Sequence, residues 1–220
     1  MAATTNAQIA TALPGFTLRN QALVAFSQTG VTPPATQSST STTAGYGCNA
    51  AFSASTANRI LGNAGATDVG ATAIEPAMTN NSGAALTSLN FSYDFVALSE
   101  GTAQSGGASP FRAGNESELP GYRVFFSLLG SAGPWKNISG LNFAPVTQTL
   151  TGFTTTVSAS SVAIGSWTTG STLTLRWFKD NENHSSPDPL YGTDNVSVVP
   201  TPGAIALLCL GGLAAGHRRR

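Results

Sequence analysis

The sequence predicts an all-β fold, an antiparallel β-sandwich or jelly roll followed by a short C-terminal hydrophobic helix. Three observations predict it. Apolar residues alternate with polar ones along several short runs, the period of a strand that lays one face on a core. No stretch of the body repeats apolar residues at the three- and four-residue spacing of a capped amphipathic helix. Segments rich in Gly, Pro and Asn separate the runs, which favours antiparallel pairing, and two stacked sheets cover both inner faces best.

The elements follow in chain order. The first 80 residues are rich in small and polar types, with weak strand candidates at Gln21–Gln28 and Gly47–Ser55. Between them Thr32–Thr43 (TPPATQSSTSTT) is a Pro/Ser/Thr run with nothing to pack, and it reads as an exposed loop. The pattern sharpens at Leu89, Phe91, Tyr93 and Phe95, with Asn90, Ser92 and Asp94 on the opposite face. Tyr122, Val124, Phe126 and Leu128 repeat it, as do Leu173, Leu175 and Trp177 with Thr174 and Arg176 opposite. Val196 and Val198 close the body, and Trp135–Phe143 and Gln148–Val157 are further strand candidates. Gly101–Pro120 is too long for a tight hairpin, and loops of that length are often functional or disordered. The body thus runs over 1–198 and a tail over 199–220.

A chain of 220 residues builds one sizeable domain and a tail without needing disulfides or metals to hold its core. Charged residues make up only 9% of it, against roughly a quarter in ordinary domains, so Ser, Thr, Asn and Gly carry the solubility. Three of the ten basic residues are Arg218, Arg219 and Arg220, which leaves seven against ten acidic groups in the body. That balance is poorly suited to gripping phosphates and argues against nucleic acid as a partner. Of the two cysteines, Cys209 lies in the apolar tail, which argues against a bridge to Cys48.

The tail, Val199–Arg220, has three parts. Pro200-Thr201-Pro202 ends the last strand, since neither proline can donate to a ladder. The uncharged segment Gly203–Gly216 spans about 21 Å as a helix, short of a hydrocarbon core of about 30 Å, so it is a transient rather than a permanent anchor. The arginines would hold the end in the cytoplasm and leave the body outside. This arrangement resembles the PEP-CTERM sorting signal, also known as the ice-binding protein C-terminal domain. Thr201 stands where that family usually has Glu. The resemblance implies export through the inner membrane, recognition by an exosortase, cleavage near the motif, and residence at the cell surface, the outer membrane or outside the cell. Residues Met1–Phe16 show no basic n-region and no apolar run of seven, so the export signal is expected upstream or already removed.

The body carries a second resemblance. Asn58-Arg59-Ile60-Leu61-Gly62, Leu86–Tyr93 (LTSLNFSY), Leu173–Asp180 (LTLRWFKD) and Gly192–Val198 (GTDNVSV) are similar to steps of an uncharacterised extracellular β-domain found in PEP-CTERM proteins. Jelly-roll carbohydrate-binding modules close with a similar Asp-x-Val strand. They often hold a structural calcium there, which the resemblance places at Asp194.

Candidate chemistry is sparse. Asp180, Asn181 and Asp194 concentrate oxygen ligands of the kind calcium takes from flexible loops, although Asx-rich turns arise equally from side chains bonding their own backbone. Trp135, Trp167 and Tyr191 lie beside loop residues and are the aromatics offered for stacking on sugar rings, with core filling as the competing and commoner reading. Trp177 alternates with Leu173 and Leu175 and reads as core. His184 has no Gly-x-Ser-x-Gly elbow or HExxH helix to support it. Glu116 and Glu118 are too close in sequence to imply a glycosidase separation. The sequence therefore reads as a non-enzymatic surface or matrix protein with a structural or adhesive role. The alternative is a carbohydrate-binding module for exopolysaccharide.

Overall fold

A computed structural model of the protein describes residues 15–22, 49–52, 60–64, 69–99, 121–143, 153–180 and 190–201. They form ten strands: β1 Phe16–Ala22, β2 Asn49–Phe52, β3 Leu61–Ala64, β4 Val69–Thr79, β5 Leu86–Ser99, β6 Arg123–Ser127, β7 Lys136–Asn137, β8 Thr154–Trp167, β9 Thr172–Asp180 and β10 Leu190–Pro200. Two five-stranded sheets result, ordered β1-β4-β9-β6-β7 and β2-β3-β10-β5-β8. Every pairing is antiparallel. The predicted C-terminal helix, and with it Pro202 and Arg218–Arg220, falls outside the described residues.

The sheets stack because each carries an apolar row facing the other. Leu89, Phe91, Tyr93 and Phe95 of β5 are buried, while Asn90, Ser92 and Asp94 between them are partly exposed, as the period of two requires. From the first sheet Leu18, Ile74, Val124, Phe126, Leu173, Leu175 and Trp177 join them in one cluster. Tyr93 meets Trp177 edge to face with ring centroids 5.6 Å apart, so the aromatic quadrupoles lock the two sheets in register. The Tyr93 hydroxyl donates to the Leu141 carbonyl at 3.0 Å, giving the buried phenol a partner.

Two bulges change which residues face inward. In β10 Asp194 pairs with Asp94 but Ser197 pairs with Ser92, one residue too many on the β10 side, and Asn195 takes a φ of 47°. Asn tolerates that left-handed conformation better than most residues. The extra residue reverses the parity of the strand, so Tyr191 and Thr193 before it face the same core as Val196 and Val198 after it. A second bulge at Ser160–Ser161 lies in β8, where Ala159 pairs with Phe91 and Val162 with Leu89, and Ser161 has a φ of 54°.

Several sequence expectations need correction. The first described strand, Phe16–Ala22, overlaps the start of the Gln21–Gln28 candidate, whose residues 23–28 lie outside the described residues, and β4 was not expected at all. Of Trp135–Phe143 only two residues pair as a strand. There Asn137 and Asn142 bond each other at 3.0 and 3.1 Å, and Asn142 Oδ1 accepts the Val124 N–H at 2.9 Å. These side chains compete with the ladder and turn the backbone into a 3-10 turn at Ser139–Leu141. Thr174 and Arg176, placed on a solvent face by the alternation, are 4% and 1% exposed because the segment after β6 folds back over them.

One side chain ties both arches that cross between the sheets at one end. Asn80 Nδ2 donates to the carbonyls of Ala84 (2.8 Å) and Trp167 (2.7 Å). Its Oδ1 accepts from the N–H and hydroxyl of Ser82 at 2.9 and 2.7 Å. Its backbone bonds Ser171 and Gly170, so the β4–β5 and β8–β9 arches share one residue. Asn80→Ala strands the buried Trp167 carbonyl and removes all four side-chain bonds. It is expected to cost about 2–4 kcal/mol in urea unfolding with an unchanged slope against denaturant.

Candidate functional site

The outer face of the first sheet gathers three charged side chains. Directly across the β1–β4 ladder from Thr17 stands Glu75, and Arg19 lies two residues further along β1. Arg19 Nε donates to Glu75 Oε2 at 3.2 Å. From the other flank Arg176 of β9 reaches Glu75 Oε1 with both Nε and Nη2. One carboxylate thus serves two guanidiniums. The Arg19 side chain keeps 25% of its surface exposed, whereas Glu75 and Arg176 keep 3% and 1%. Among the described residues the terminal nitrogens of Arg19 take no other partner.

Burial of Arg176 has an identifiable cause. Ala73, Phe125 and Phe178 form a small apolar cluster on this outer face, and Trp135 packs against it. The Trp135 ring lies over the Arg176 guanidinium, 3.9 Å from its carbon to the ring centroid. The 3-10 turn Gly130–Ala132 supplies a further acceptor, the Ser131 carbonyl at 3.4 Å from Arg176 Nη2. Gly133 permits the fold-back. Its φ is 79°, and a Cβ there would sit 2.9 Å from Trp135 Cδ1. Removal from water lowers the Arg176 pKa below its ordinary value, and the facing Glu75 opposes that shift.

Beside this cover the face opens into a groove of about 430 Å³. Thr17 and Arg19 line one side, Leu129 and Ser131 the other, and Glu75 and Thr174 the floor. Leu129 is 73% exposed on the rim, one of two large apolar side chains the described surface leaves out. The groove therefore combines a free guanidinium end, a row of threonine hydroxyls and an apolar lip. Arg19 and Glu75 are the charged residues of its lining, and with Arg176 buried beside Glu75 the three-residue ion cluster carries one positive charge in excess. Both Glu75 oxygens are engaged by guanidinium nitrogens.

The residues offered by the sequence fare differently. Trp135 stands on this face, half-buried. Trp167 and Tyr191 do not belong to any exposed platform and are corrected to core positions, at 5% and 1% exposure. The Trp167 ring turns inward at the end of β8 and its Nε1 donates to the Ser171 carbonyl at 2.9 Å. Tyr191 faces inward because of the parity change at Asn195 and packs with Phe95 at 5.0 Å. Pro200 pairs with Leu89 as the last strand residue, and the Thr201 N–H donates to the Ser88 carbonyl at 3.4 Å.

The oxygen-rich residues are also divided. Asp180 ends β9 in the first sheet, Asp194 sits in β10 of the second, and Asn181 lies outside the described residues. Asp194 stands across from Asp94. Asp94 accepts from Thr156 Oγ1 at 2.6 Å and Asn195 Nδ2 at 2.7 Å, and these bonds, the Asn195 bond foremost, hold its carboxyl below the usual range. Asp194 Oδ1 accepts the Asn195 N–H at 2.8 Å, which serves the bulge. Among the described residues no three His, Cys, Asp or Glu side chains converge as a metal cage. His184, Glu116, Glu118 and both cysteines fall outside the described residues.

No protein-family model matches the chain, and no curated protein matches it either.

Glu75→Gln leaves two buried or half-buried guanidiniums facing a neutral amide. The loss is expected to be about 3–5 kcal/mol in equilibrium unfolding, well above that of an ordinary surface charge removal. Near-ultraviolet circular dichroism should report release of Trp135 from its stacked position.

Proposed function

We propose that this protein is an exported surface protein whose β-sandwich binds carbohydrate in the groove beside Arg19. One observation carries the reading. The terminal nitrogens of Arg19 remain available above a hydroxyl-lined floor, held in place by the Nε bond to Glu75. Sugar hydroxyls and carboxylates are the ligands such donors take, and each hydrogen bond to a charged group contributes roughly 1.5–3 kcal/mol. The exposed Leu129 offers an apolar surface for a ring face, and Trp135 is the aromatic side chain of the cover beside the groove. The free end of Arg19, in a cluster of two arginines and one glutamate, favours acidic polysaccharide over neutral, in line with an exopolysaccharide partner. Two antiparallel sheets are also the architecture of the jelly-roll modules that the closing strand of the sequence resembles.

The location rests on the tail. We read Pro200-Thr201-Pro202, the apolar segment 203–216 and Arg218–Arg220 as a PEP-CTERM-type signal processed by an exosortase after transient inner-membrane anchoring. The body supports that reading by ending at the motif: its last ladder pair is Pro200 with Leu89. A protease-like enzyme acting there meets the chain where the sheet stops.

Two measurements check the proposal. In isothermal titration against an alginate-type uronic oligosaccharide, the chain should bind, and Arg19→Ala should weaken binding about tenfold or more without a large change in melting temperature. Absence of binding to acidic and neutral polysaccharides alike would remove the reading. For the tail, intact-mass analysis of the protein recovered from its native host should show a chain ending near residue 202; a mature chain retaining 203–220 would contradict the sorting proposal.

A further inference from the structure

The four edge strands of the two sheets are unequal. β1 has seven residues and carries Arg19, β2 has four, and β7 has two and carries Lys136. β8 is different: fourteen residues, Thr154–Trp167 (TTTVSASSVAIGSW), without a charge or a proline. Soluble proteins ordinarily blunt an exposed edge with charge, proline, brevity or a covering loop, because unpaired N–H and C=O groups template another strand. Among the described residues the bulge at Ser161 and the irregular pairing between Ala163 and Trp167 are such devices, and they leave Thr154–Ser160 regular. Among the described residues β8 pairs with β5 alone, and its other bonds are local side-chain contacts.

From this edge we infer that the protein associates with a second copy of itself by antiparallel β8–β8 pairing, independently of any ligand in the groove. A second copy is the occupant the strand's own chemistry fits. A two-fold axis through Val157 places Thr154 opposite Ser160, Thr155 opposite Ala159 and Thr156 opposite Ser158. The exposed row then consists of Thr–Ser pairs, which hydrogen-bond across strands, and the inner row of small residues that pack without collision. Charge is compatible as well. Among the described residues the carboxylate nearest this row, Asp94, lies behind Thr156, and the row continues in the partner through Ser158 to Ser92, so no two of these carboxylates meet. Seven residues at about 3.4 Å each give a ladder about 24 Å long and join two five-stranded sheets into one. Val157 and Ala159 face inward yet remain only partly covered within one copy, and pairing adds to their cover. The contact is isologous, so it closes at two copies along this edge.

Sedimentation velocity on the full chain over a concentration series tests the inference. A reversible dimer is expected. Ser158→Lys with Ser160→Lys, both on the solvent-exposed row, should give a monomer with the melting temperature of the parent. Hydrogen exchange on the unsubstituted chain supplies a check that needs no variant: amides of Thr154–Ser160 should slow as concentration rises. A chain that stays monomeric at every concentration, a dimer that persists in the lysine variant, or concentration-independent exchange in this segment overturns it. Saccharide binding by the monomeric variant is expected to match the parent, which keeps failure of this inference distinct from failure of the groove.

Discussion

A single carboxylate shared between two guanidiniums sets the outer face of the first sheet. Arg176 sits at 1% exposure, and a buried cation that loses its counter-ion is among the more costly defects a fold can carry. Glu75 supplies that counter-ion from the adjacent strand, and its second oxygen fixes Arg19 at the open end. The segment after β6 can then close over the pair with the Trp135 ring and the Ser131 carbonyl. Without the pair there is no cover, and without the cover there is no groove wall. The half-exposed Arg19 is what this structural pairing presents to solvent.

The legible and illegible parts of this sequence divide along physical lines. β5, β6 and β9 could be read directly, because Leu89–Phe95, Val124–Phe126 and Leu173–Trp177 keep a strict period of two. β4 could not. Its run Val69–Thr79 holds Pro76 in the middle of a central strand, and the ladder to β9 breaks there, between Ile74–Trp177 and Ala77–Thr174. Period counting also fails wherever a bulge reverses parity. Stepping back by twos from Val196 puts Tyr191 outside, while Asn195 returns it to the core. Irregular pairing at the end of β8 does the same for Trp167.

The groove itself was only half visible. Trp135 was a candidate from its loop position, but Arg19, Glu75 and Arg176 come from strands far apart in sequence, and nothing local links them. One signal was present. Glu75 is the lone charge within the eleven residues of β4, and a single carboxylate in an otherwise uncharged strand asks for a partner. Arg176 at the centre of β9 gave the matching hint, misread as solvent-facing because alternation says which face a residue takes and not whether that face is covered.

Charged residues make up only 9% of the chain, yet the outer face of the first sheet gathers Arg19, Glu75 and Arg176 while the β8 edge of the second sheet carries none. Ligand is proposed to enter the groove beside Arg19. Backbone amide chemical shifts recorded while a uronic oligosaccharide is added test this most directly. The account expects saturable shifts centred on Thr17, Arg19, Leu129, Ser131 and Thr174, with the second sheet unmoved. Shifts confined to β5, β8 or β10, or none at all at saturating saccharide, would contradict it.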